Sequence, residues 1–256
     1  MELVQLVHRI RMFSTLYSHL LSRAVFPGSE EAKLLQDFFA DNSVGVFLDI
    51  GANEPDSAVS LPLFRQGWKG LVVDPIPSNA KKLETAGFDV WCGAVTTKTI
   101  AEQGETKFHI AGGDSGRKSS LDADLIDPLL ATTEIVVPLI TLEDLIAKMD
   151  VKNIQLLAID VEGCERDVLS TLPHGLSVDL ILVEDWARNT LLHQDLLGKG
   201  YKRVRRTGYN SWYVPAISNF RVSWLGKLHL EAKLNWFAPV RQRRFERKRA
   251  RAQSDS

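Results

Sequence analysis

Four acidic residues stand at the ends of short apolar runs in this 256-residue sequence: Asp49, Asp74, Asp160 and Glu184. An unpaired carboxylate is costly to bury, so these side chains are expected to face a polar ligand or solvent rather than a core. In an open α/β sheet, ligands bind outside the carboxyl ends of the strands, near the point where the strand order reverses. The four acids therefore predict a polar ligand site at one edge of a sheet.

The turn after the first run contains a single glycine. It reads Asp49-Ile50-Gly51-Ala52-Asn53-Glu54-Pro55. Gly51 would let the backbone approach a ligand closely, and Asp74, 23 residues later, could accept both hydroxyls of a ribose. This pair indicates a cofactor that contains adenosine. A nicotinamide dinucleotide needs three glycines at the spacing G-x-G-x-x-G to admit its pyrophosphate, so the sequence disfavours an oxidoreductase and favours a cofactor without phosphates.

The elements that would position these residues alternate along the chain. Five apolar runs predict buried parallel strands at Val46–Ile50, Gly70–Asp74, Phe88–Cys92, Ile154–Asp160 and Leu180–Val183. Helical patterns lie between most of these runs or follow them, at Pro77–Ala86, Leu142–Met149 and Cys164–Leu172. Near the end, Tyr201–Val204 and Ser211–Val214 predict an antiparallel hairpin. The pattern predicts a doubly wound α/β fold with a mainly parallel sheet and a C-terminal hairpin.

Four segments resemble, in order, the successive motifs of the FkbM family of methyltransferases, which use S-adenosylmethionine (SAM). They are Phe47-Leu48-Asp49-Ile50-Gly51-Ala52-Asn53, Val73-Asp74-Pro75-Ile76-Pro77, Ile140-Thr141-Leu142-Glu143-Asp144-Leu145 and Ile159-Asp160-Val161-Glu162-Gly163-Cys164-Glu165. The resemblance extends over about residues 44 to 186. It implies a Rossmann-like class I methyltransferase fold and SAM as the cofactor.

The resemblance also implies where the cofactor would lie. The methionine side would be lined by Asp49, Gly51, Ala52 and Asn53. Asp74 would hold the ribose, Ala94 or its neighbours would flank the adenine, and Asp160 and Glu162 would lie beside the transferred methyl group.

Three positions depart from the family pattern. Glu54-Pro55 replaces the second glycine common in the first loop, and Asp74 takes a place often filled by glutamate. Both changes leave the binding chemistry possible. Ala158 replaces a frequent lysine, which argues against any lysine-dependent step.

The expected reaction is transfer of a methyl group to a hydroxyl of a glycan or small molecule, in which positioning supplies most of the catalysis. Asp160, Glu162 and His193 are the candidates for the base that removes the hydroxyl proton, although a loop histidine is more often a solvated surface residue. No metal is expected. The alternative is Mg²⁺ held by an acid cluster of Asp160, Glu162, Glu184 and Asp185.

Two further functions compete with this prediction. A degenerate domain that binds SAM or a partner without catalysis is favoured by the loop departure and by Ala158, whereas the intact Asp49, Asp74, Asp160 and Glu162 argue against it. A nicotinamide oxidoreductase is disfavoured by the missing glycines.

Three aromatic residues could form one wall of the acceptor site, although they could equally belong to the core: Trp186, Tyr209 and Trp212. The polar segment Gly112–Ser120 is either a loop that closes over the site or a surface excursion.

The chain divides into an N-terminal helical segment (1–43), a catalytic domain (44–216) and a C-terminal extension (217–256). Residues 1–24 show the pattern of an amphipathic helix. The arginine-rich stretch 241–251 carries a net charge of +6, which leaves about −7 on the rest of the chain and argues against specific binding of nucleic acid. The extension could instead contact an anionic membrane, or pack on the domain and end in a solvated tail.

The chain contains two cysteines and no apolar run long enough to span a bilayer. Neither a disulfide framework nor a thiolate zinc site is indicated. The expected location is the cytoplasm, with peripheral contact at the inner face of the membrane as an option.

Overall fold

The computed structural model describes residues 30–42, 44–112, 116, 118–126, 130–185, 190–222 and 224–232. The predicted helix over residues 1–24 and the basic stretch 241–251 lie outside this part of the chain. The described strands are β1 (Val46–Ile50), β2 (Lys69–Asp74), β3 (Asp89–Cys92), β4 (Ala94–Val95), β5 (Glu105–Ala111), β6 (Thr132–Ile140), β7 (Asn153–Ile159), β8 (Ser177–Glu184), β9 (Tyr201–Thr207) and β10 (Asn210–Pro215).

The main sheet has seven strands in the order β3-β2-β1-β7-β8-β10-β9. The pairs from β3 through β8 are parallel, and β10 is antiparallel to both of its neighbours. This arrangement confirms the predicted fold class, including the C-terminal hairpin. The strand order reverses between β1 and β7, so the ends of these two strands open onto the edge where α/β folds bind ligands.

Helices cover both faces of the sheet. They are α1 (Glu30–Phe38), α2 (Leu61–Phe64), α3 (Pro77–Thr85), α4 (Lys98–Ala101), α5 (Leu142–Met149), α6 (Glu165–Ser170), α7 (Thr190–Gly198) and α8 (Trp224–Ala232). The first three pack on one face, where Phe47, Trp68 and Trp212 form the core, and α5, α6 and α7 pack on the other. In α5, the Thr141 hydroxyl accepts a hydrogen bond from the Asp144 amide at 3.0 Å and caps the first turn.

A second, three-stranded sheet (β4-β6-β5) was not predicted. Its long pair, β5 and β6, is antiparallel and runs from Glu105↔Pro138 to Ala111↔Thr132. Phe108 and Val137 turn inward, whereas the neighbouring Val136 is 63% exposed. The sheet therefore buries one face only, and it forms a wall beside the carboxyl end of β2.

Candidate functional site

A cavity of about 260 Å³ opens at the carboxyl edge of the main sheet, near the lower end of the size range of small-molecule sites. All but one of the predicted site residues line it: Asp49, Gly51, Ala52, Asn53, Asp74, Ala94, Asp160 and Glu162. Glu184 lines it as well. The structure thus brings together the ends of β1, β2, β7 and β8.

Gly51 sits where β1 meets β7. Its φ is +87°, and a Cβ at this position would lie 1.7 Å from the carbonyl oxygen of Asp160. The Gly51 amide donates to the Val73 carbonyl at 2.9 Å. Glycine is therefore required for the close approach of two protein backbones, and not only for the approach of a ligand that the sequence predicts.

Asp74 holds the turns that follow β1 and β2 by hydrogen bonds. Its Oδ2 accepts the Asn53 amide and its Oδ1 the Ile76 amide, both at 2.9 Å, and the Asn79 side chain adds a further hydrogen bond. Burial raises the pKa of Asp74 to about 6 in spite of these hydrogen bonds. A carboxylate has about four acceptor positions, so about one is left for a ligand hydroxyl, fewer than the two that the sequence suggests.

Asp49 is held by Ser60. Its Oδ2 accepts hydrogen bonds from the amide and the hydroxyl of Ser60, at 2.8 and 2.7 Å. Burial, followed by the nearby charge of Asp160, raises the pKa of Asp49 to about 6, although the bonds from Ser60 act in the opposite direction. This carboxyl group ties β1 to the residue before α2, and Asp49 also lines the cavity.

Three acids gather at the ends of β7 and β8: Asp160, Glu162 and Glu184 offer carboxylate oxygens that all lie within 4.8 Å of one another. Burial raises the pKa of Asp160 and raises that of Glu162 to about 8. Burial, then the charges of Asp160 and Glu162, hold the pKa of Glu184 well above its usual range. Each additional negative charge in this cluster is therefore unfavourable unless a cation balances it.

The loop that presents Glu162 is held by Glu165. The Glu165 Oε1 accepts the Gly163 amide at 2.9 Å and the Val161 amide at 3.4 Å. Glu162 itself has a φ of +54°, in the left-handed region that non-glycine residues rarely adopt. Glu165 thus holds the loop in place, and the neighbouring Arg166 pairs with Asp195 at 2.6 Å instead.

The sequence matches the family model described as the methyltransferase FkbM domain over residues 49–194, more than half of the chain. The chain belongs to the FkbM family. This match confirms the family that the four motifs indicate and identifies a methyltransferase domain. No curated protein matches the sequence.

Solved structures that resemble this FkbM domain include three methyltransferases. A proposed RNA methyltransferase from Pyrococcus horikoshii is 10% identical, with 78% of this chain and 89% of that chain covered and a TM-score of 0.39. The C-terminal domain of precorrin-6Y C5,15-methyltransferase from Rhodobacter capsulatus is 12% identical, with 76% and 89% covered and a TM-score of 0.35. Precorrin-6Y C5,15-methyltransferase from Geobacter metallireducens GS-15 is 11% identical, with 73% and 87% covered and a TM-score of 0.37.

His193 is the one predicted site residue of the FkbM domain that does not line the cavity. It lies on α7, and its Nδ1 is 3.2 Å from the hydroxyl of Tyr213, which belongs to the core on the α7 side of the sheet. The acids of the cavity follow, along each strand, the residues that project from the other face of the main sheet. This placement gives no support to His193 as the base.

Asp185 does not join the acid cluster, which is a correction to the four-acid alternative. It follows the last residue of β8, does not line the cavity, and accepts a hydrogen bond at its Oδ2 from Nη1 of Arg206 at 2.9 Å. Ser211 also donates to this oxygen, at 3.3 Å. Both Asp185 and Arg206 are buried. The pair is a structural link between β8 and β9.

Glu31 is a cavity residue of this FkbM domain that the sequence interpretation missed. Thr207 and Trp212 donate to its Oε1, and Asn210 donates to its Oε2 at 3.0 Å. Trp212 is thereby fixed in the core, Tyr209 lines the cavity, and Trp186 lies outside the described residues. No signal near Glu31 in the sequence could have revealed a partner more than 170 residues away.

The unpredicted second sheet supplies Phe108 to the cavity, and the segment that follows β5 supplies Ser119 and Leu121. The described part of segment 112–120 packs against the domain: Ser119 Oγ accepts the Ala111 amide at 2.9 Å, and Ser120 pairs with His109. The alternation of Phe108 and Ile110 in the sequence was the signal available for this wall.

None of the helices within the described residues has the length and apolar character that a membrane crossing requires.

Proposed function

We propose that this FkbM domain binds SAM in the cavity at the β1/β7 switch point and transfers its methyl group to a hydroxyl of a glycan or small molecule. The observation that carries the proposal is the meeting of Asp74, held by the Asn53 and Ile76 amides, with the acids after β7 in one cavity. Asp74 would accept a ribose hydroxyl, Ala94 would flank the adenine, and Asp160 would lie beside the methyl group.

The charge of the cavity supports a cofactor of this kind. Its lining includes the buried acids Asp49, Asp74, Glu184 and the half-buried Asp160, and no lysine or arginine lines it within the described residues. A pyrophosphate would be repelled by this edge, whereas a sulfonium or an ammonium group would be attracted. SAM supplies an activated methyl group when bound, so the protein needs mainly to position the acceptor and exclude water.

Removal of the hydroxyl proton is assigned to the acids after β7. Asp160 and Glu162 line the cavity on the same side, within reach of a ligand placed there. His193 is left out of this assignment because it bonds to Tyr213 instead. The acceptor would enter past Tyr209 and Asn210, at the tip of the C-terminal hairpin.

Calorimetric titration with SAM and, separately, with NAD tests the cofactor. We expect SAM to bind the wild type, NAD not to bind, and Asp74→Ala to weaken SAM binding by about tenfold or more, a loss of about 1.4 kcal/mol. Asp89→Ala, an exposed acid on the neighbouring strand, is the matched control and should bind like wild type. Absence of SAM binding by the folded wild type would refute the proposal.

Turnover separates an enzyme from a degenerate binding domain. Incubation of the protein with methyl-labelled SAM and a panel of polyhydroxylated acceptors should convert a hydroxyl of one acceptor into a labelled methyl ether. A protein that binds SAM but labels none of them, and whose Glu162→Gln variant binds SAM as tightly as wild type, would favour the degenerate domain.

We also propose that the C-terminal segment contacts an anionic membrane surface. On α8, Trp224 and Leu228 are 72% and 62% exposed and lie four residues apart, hence on one side of the helix, with the exposed Lys227 beside them. Such a surface suits the interface of a bilayer. Sedimentation with vesicles should show binding to anionic but not to zwitterionic lipid, and Trp224→Ser/Leu228→Ser should reduce it. Equal sedimentation of the variant and the wild type would refute this contact.

A further inference from the structure

We infer that Asp160, Glu162 and Glu184 form a binding site for one divalent cation, Mg²⁺ or Mn²⁺, which holds and activates the acceptor hydroxyl. The inference rests on the proposed O-methyl transfer and extends it to the class of acceptor. It replaces the sequence-based expectation that no metal takes part.

The spacing of the three carboxylates suits one cation. Their oxygens lie within 4.8 Å of one another. Mg²⁺ binds six oxygens at about 2.0–2.1 Å, so oxygens in neighbouring positions are about 2.9 Å apart and oxygens on opposite sides are about 4.2 Å apart. Carboxylates this close to one another can converge on one ion by rotation of their side chains. Asp160 and Glu162 follow β7 and Glu184 ends the adjacent β8, so two paired strands fix the cluster.

A second observation points to a missing ligand. Glu184 is only 7% exposed and lines the cavity; its side chain shares a hydrogen bond with Asp160, yet its Oε2 has no hydrogen-bond partner among the described residues. Leaving a buried carboxylate oxygen unsatisfied is costly, and native structures avoid it unless an ion or water fills the place. A cation bound at this oxygen would remove that cost.

The protein supplies little balancing positive charge to the three acids. Within the described residues, none of the ion pairs involves Asp160, Glu162 or Glu184. The charge of Lys118 lowers the pKa of Glu162 without forming an ion pair with it, and this effect is smaller than that of burial. Three close carboxylates without a counter-ion favour the capture of a divalent cation from solution.

The proposed ion defines the acceptor. Three protein ligands leave about three of six positions for water and substrate, on the side that faces the cavity. Two neighbouring hydroxyls, as in a sugar, would occupy two of them. With the ion bound, Asp160 and Glu162 act as its ligands and no longer as the base. Coordination would lower the pKa of the bound hydroxyl, and its proton would pass to water. The alkoxide oxygen then forms a bond to the methyl carbon as the carbon–sulfur bond of the sulfonium breaks, giving a methyl ether and a neutral thioether. The acceptor class is therefore a vicinal diol.

The test is titration of the full chain with Mn²⁺, without SAM, followed by the electron paramagnetic resonance signal of free Mn²⁺. We expect one Mn²⁺ per chain, displaced by excess Mg²⁺. Glu184→Gln should weaken Mn²⁺ binding by at least about tenfold. Loss of a residue that only hydrogen-bonds to a metal ligand already lowers metal affinity by about tenfold or more, and loss of a ligand itself should cost no less. Glu143→Gln, an exposed acid on α5, is the control and should match wild type. If Glu184→Gln does not fold, Glu162→Gln takes its place.

A parallel SAM titration in the presence of a chelator separates this inference from the proposed function. SAM binding without Mn²⁺ binding would overturn the metal site and leave the methyltransferase proposal standing. The sulfonium of SAM would then be the cation that the acid cluster faces. Mn²⁺ binding that Glu184→Gln leaves unchanged would also overturn it. Loss of SAM binding alone would instead refute the cofactor assignment.

Discussion

Replacing Glu31 with glutamine should change how the stability of the protein depends on pH. Glu31 is 4% exposed and binds Thr207, Asn210 and Trp212. Burial, which these hydrogen bonds only partly oppose, raises the pKa of Glu31 from 4.5 to about 7. A rise of this size corresponds to about 3 kcal/mol between the protonated and the ionised forms.

The sign follows from proton binding. Between pH 4.5 and about 7 the folded state keeps the Glu31 proton that the unfolded state has lost, so the free energy of unfolding falls as pH rises. The contribution of Glu31 is fully present below pH 4.5 and is lost above about pH 7. Glutamine does not titrate, so we expect Glu31→Gln to gain about 3 kcal/mol relative to wild type across this window.

Urea unfolding followed by circular dichroism, at one pH below 4.5 and one above 7, measures the gain. Any hydrogen bond that glutamine makes less well affects both values equally and cancels from the comparison. Glu30→Gln, an exposed neighbour on α1, should show no such change. A difference between wild type and Glu31→Gln that is the same at both pH values would refute the reasoning. The chelator used for the SAM titrations keeps metal out of the comparison.

Three further predictions concern the switch point, the sheet and the cofactor. Gly51→Ala should destabilise the protein by more than about 4 kcal/mol because its Cβ meets a carbonyl oxygen, whereas Gly175→Ala, at a φ of +83° in open space, should cost about 1–2 kcal/mol; equal thermal midpoints would contradict this. Arg206→Leu should cost up to about 3–5 kcal/mol in urea unfolding, because it removes the nearer of the two arginines that balance Asp185 and leaves only Arg203, at 3.7 Å. Adding Asp185→Asn should restore part of the loss, and a double variant no more stable than the single one would contradict this account of the pair. SAM affinity should fall by up to about tenfold per pH unit below pH 6, the pKa of Asp74, and calorimetry on Asp74→Asn should show no such fall; an equal pH dependence in both proteins would contradict the ribose assignment.

The parallel half of the fold was readable from the sequence because its strands are buried on both faces. Short apolar runs such as Val46–Ile50, bounded by turn residues, are typical of buried parallel strands, and their alternation with helices specifies the crossovers. The β5/β6 pair escaped because it buries one face only, and because Pro138 inside β6 is a residue that strands usually exclude. Half-buried strands leave a pattern that polar loop residues easily obscure.

The position of the site was predictable, but the direction of each side chain was not. Acids at strand ends mark the edge of the sheet whatever they contact. Asp49 proved to bind Ser60, Asp185 to bind Arg206, and Glu184 to face the cavity. The direction of each side chain depends on its hydrogen-bond partner, which the sequence pattern does not identify. It also depends on the face of the sheet from which the acid projects.

The bond between Glu31 and Trp212 joins residues 181 positions apart. During synthesis, the part of the cavity lined by Glu31 cannot be completed until β10 has left the ribosome, long after the glycine turn and the acids after β7 have been made. A nascent chain should therefore bind ligand late, in one step, when the hairpin docks. High sequence separation of this kind also slows refolding, so a chain stopped before Trp212 would expose an incomplete pocket and depend on chaperones.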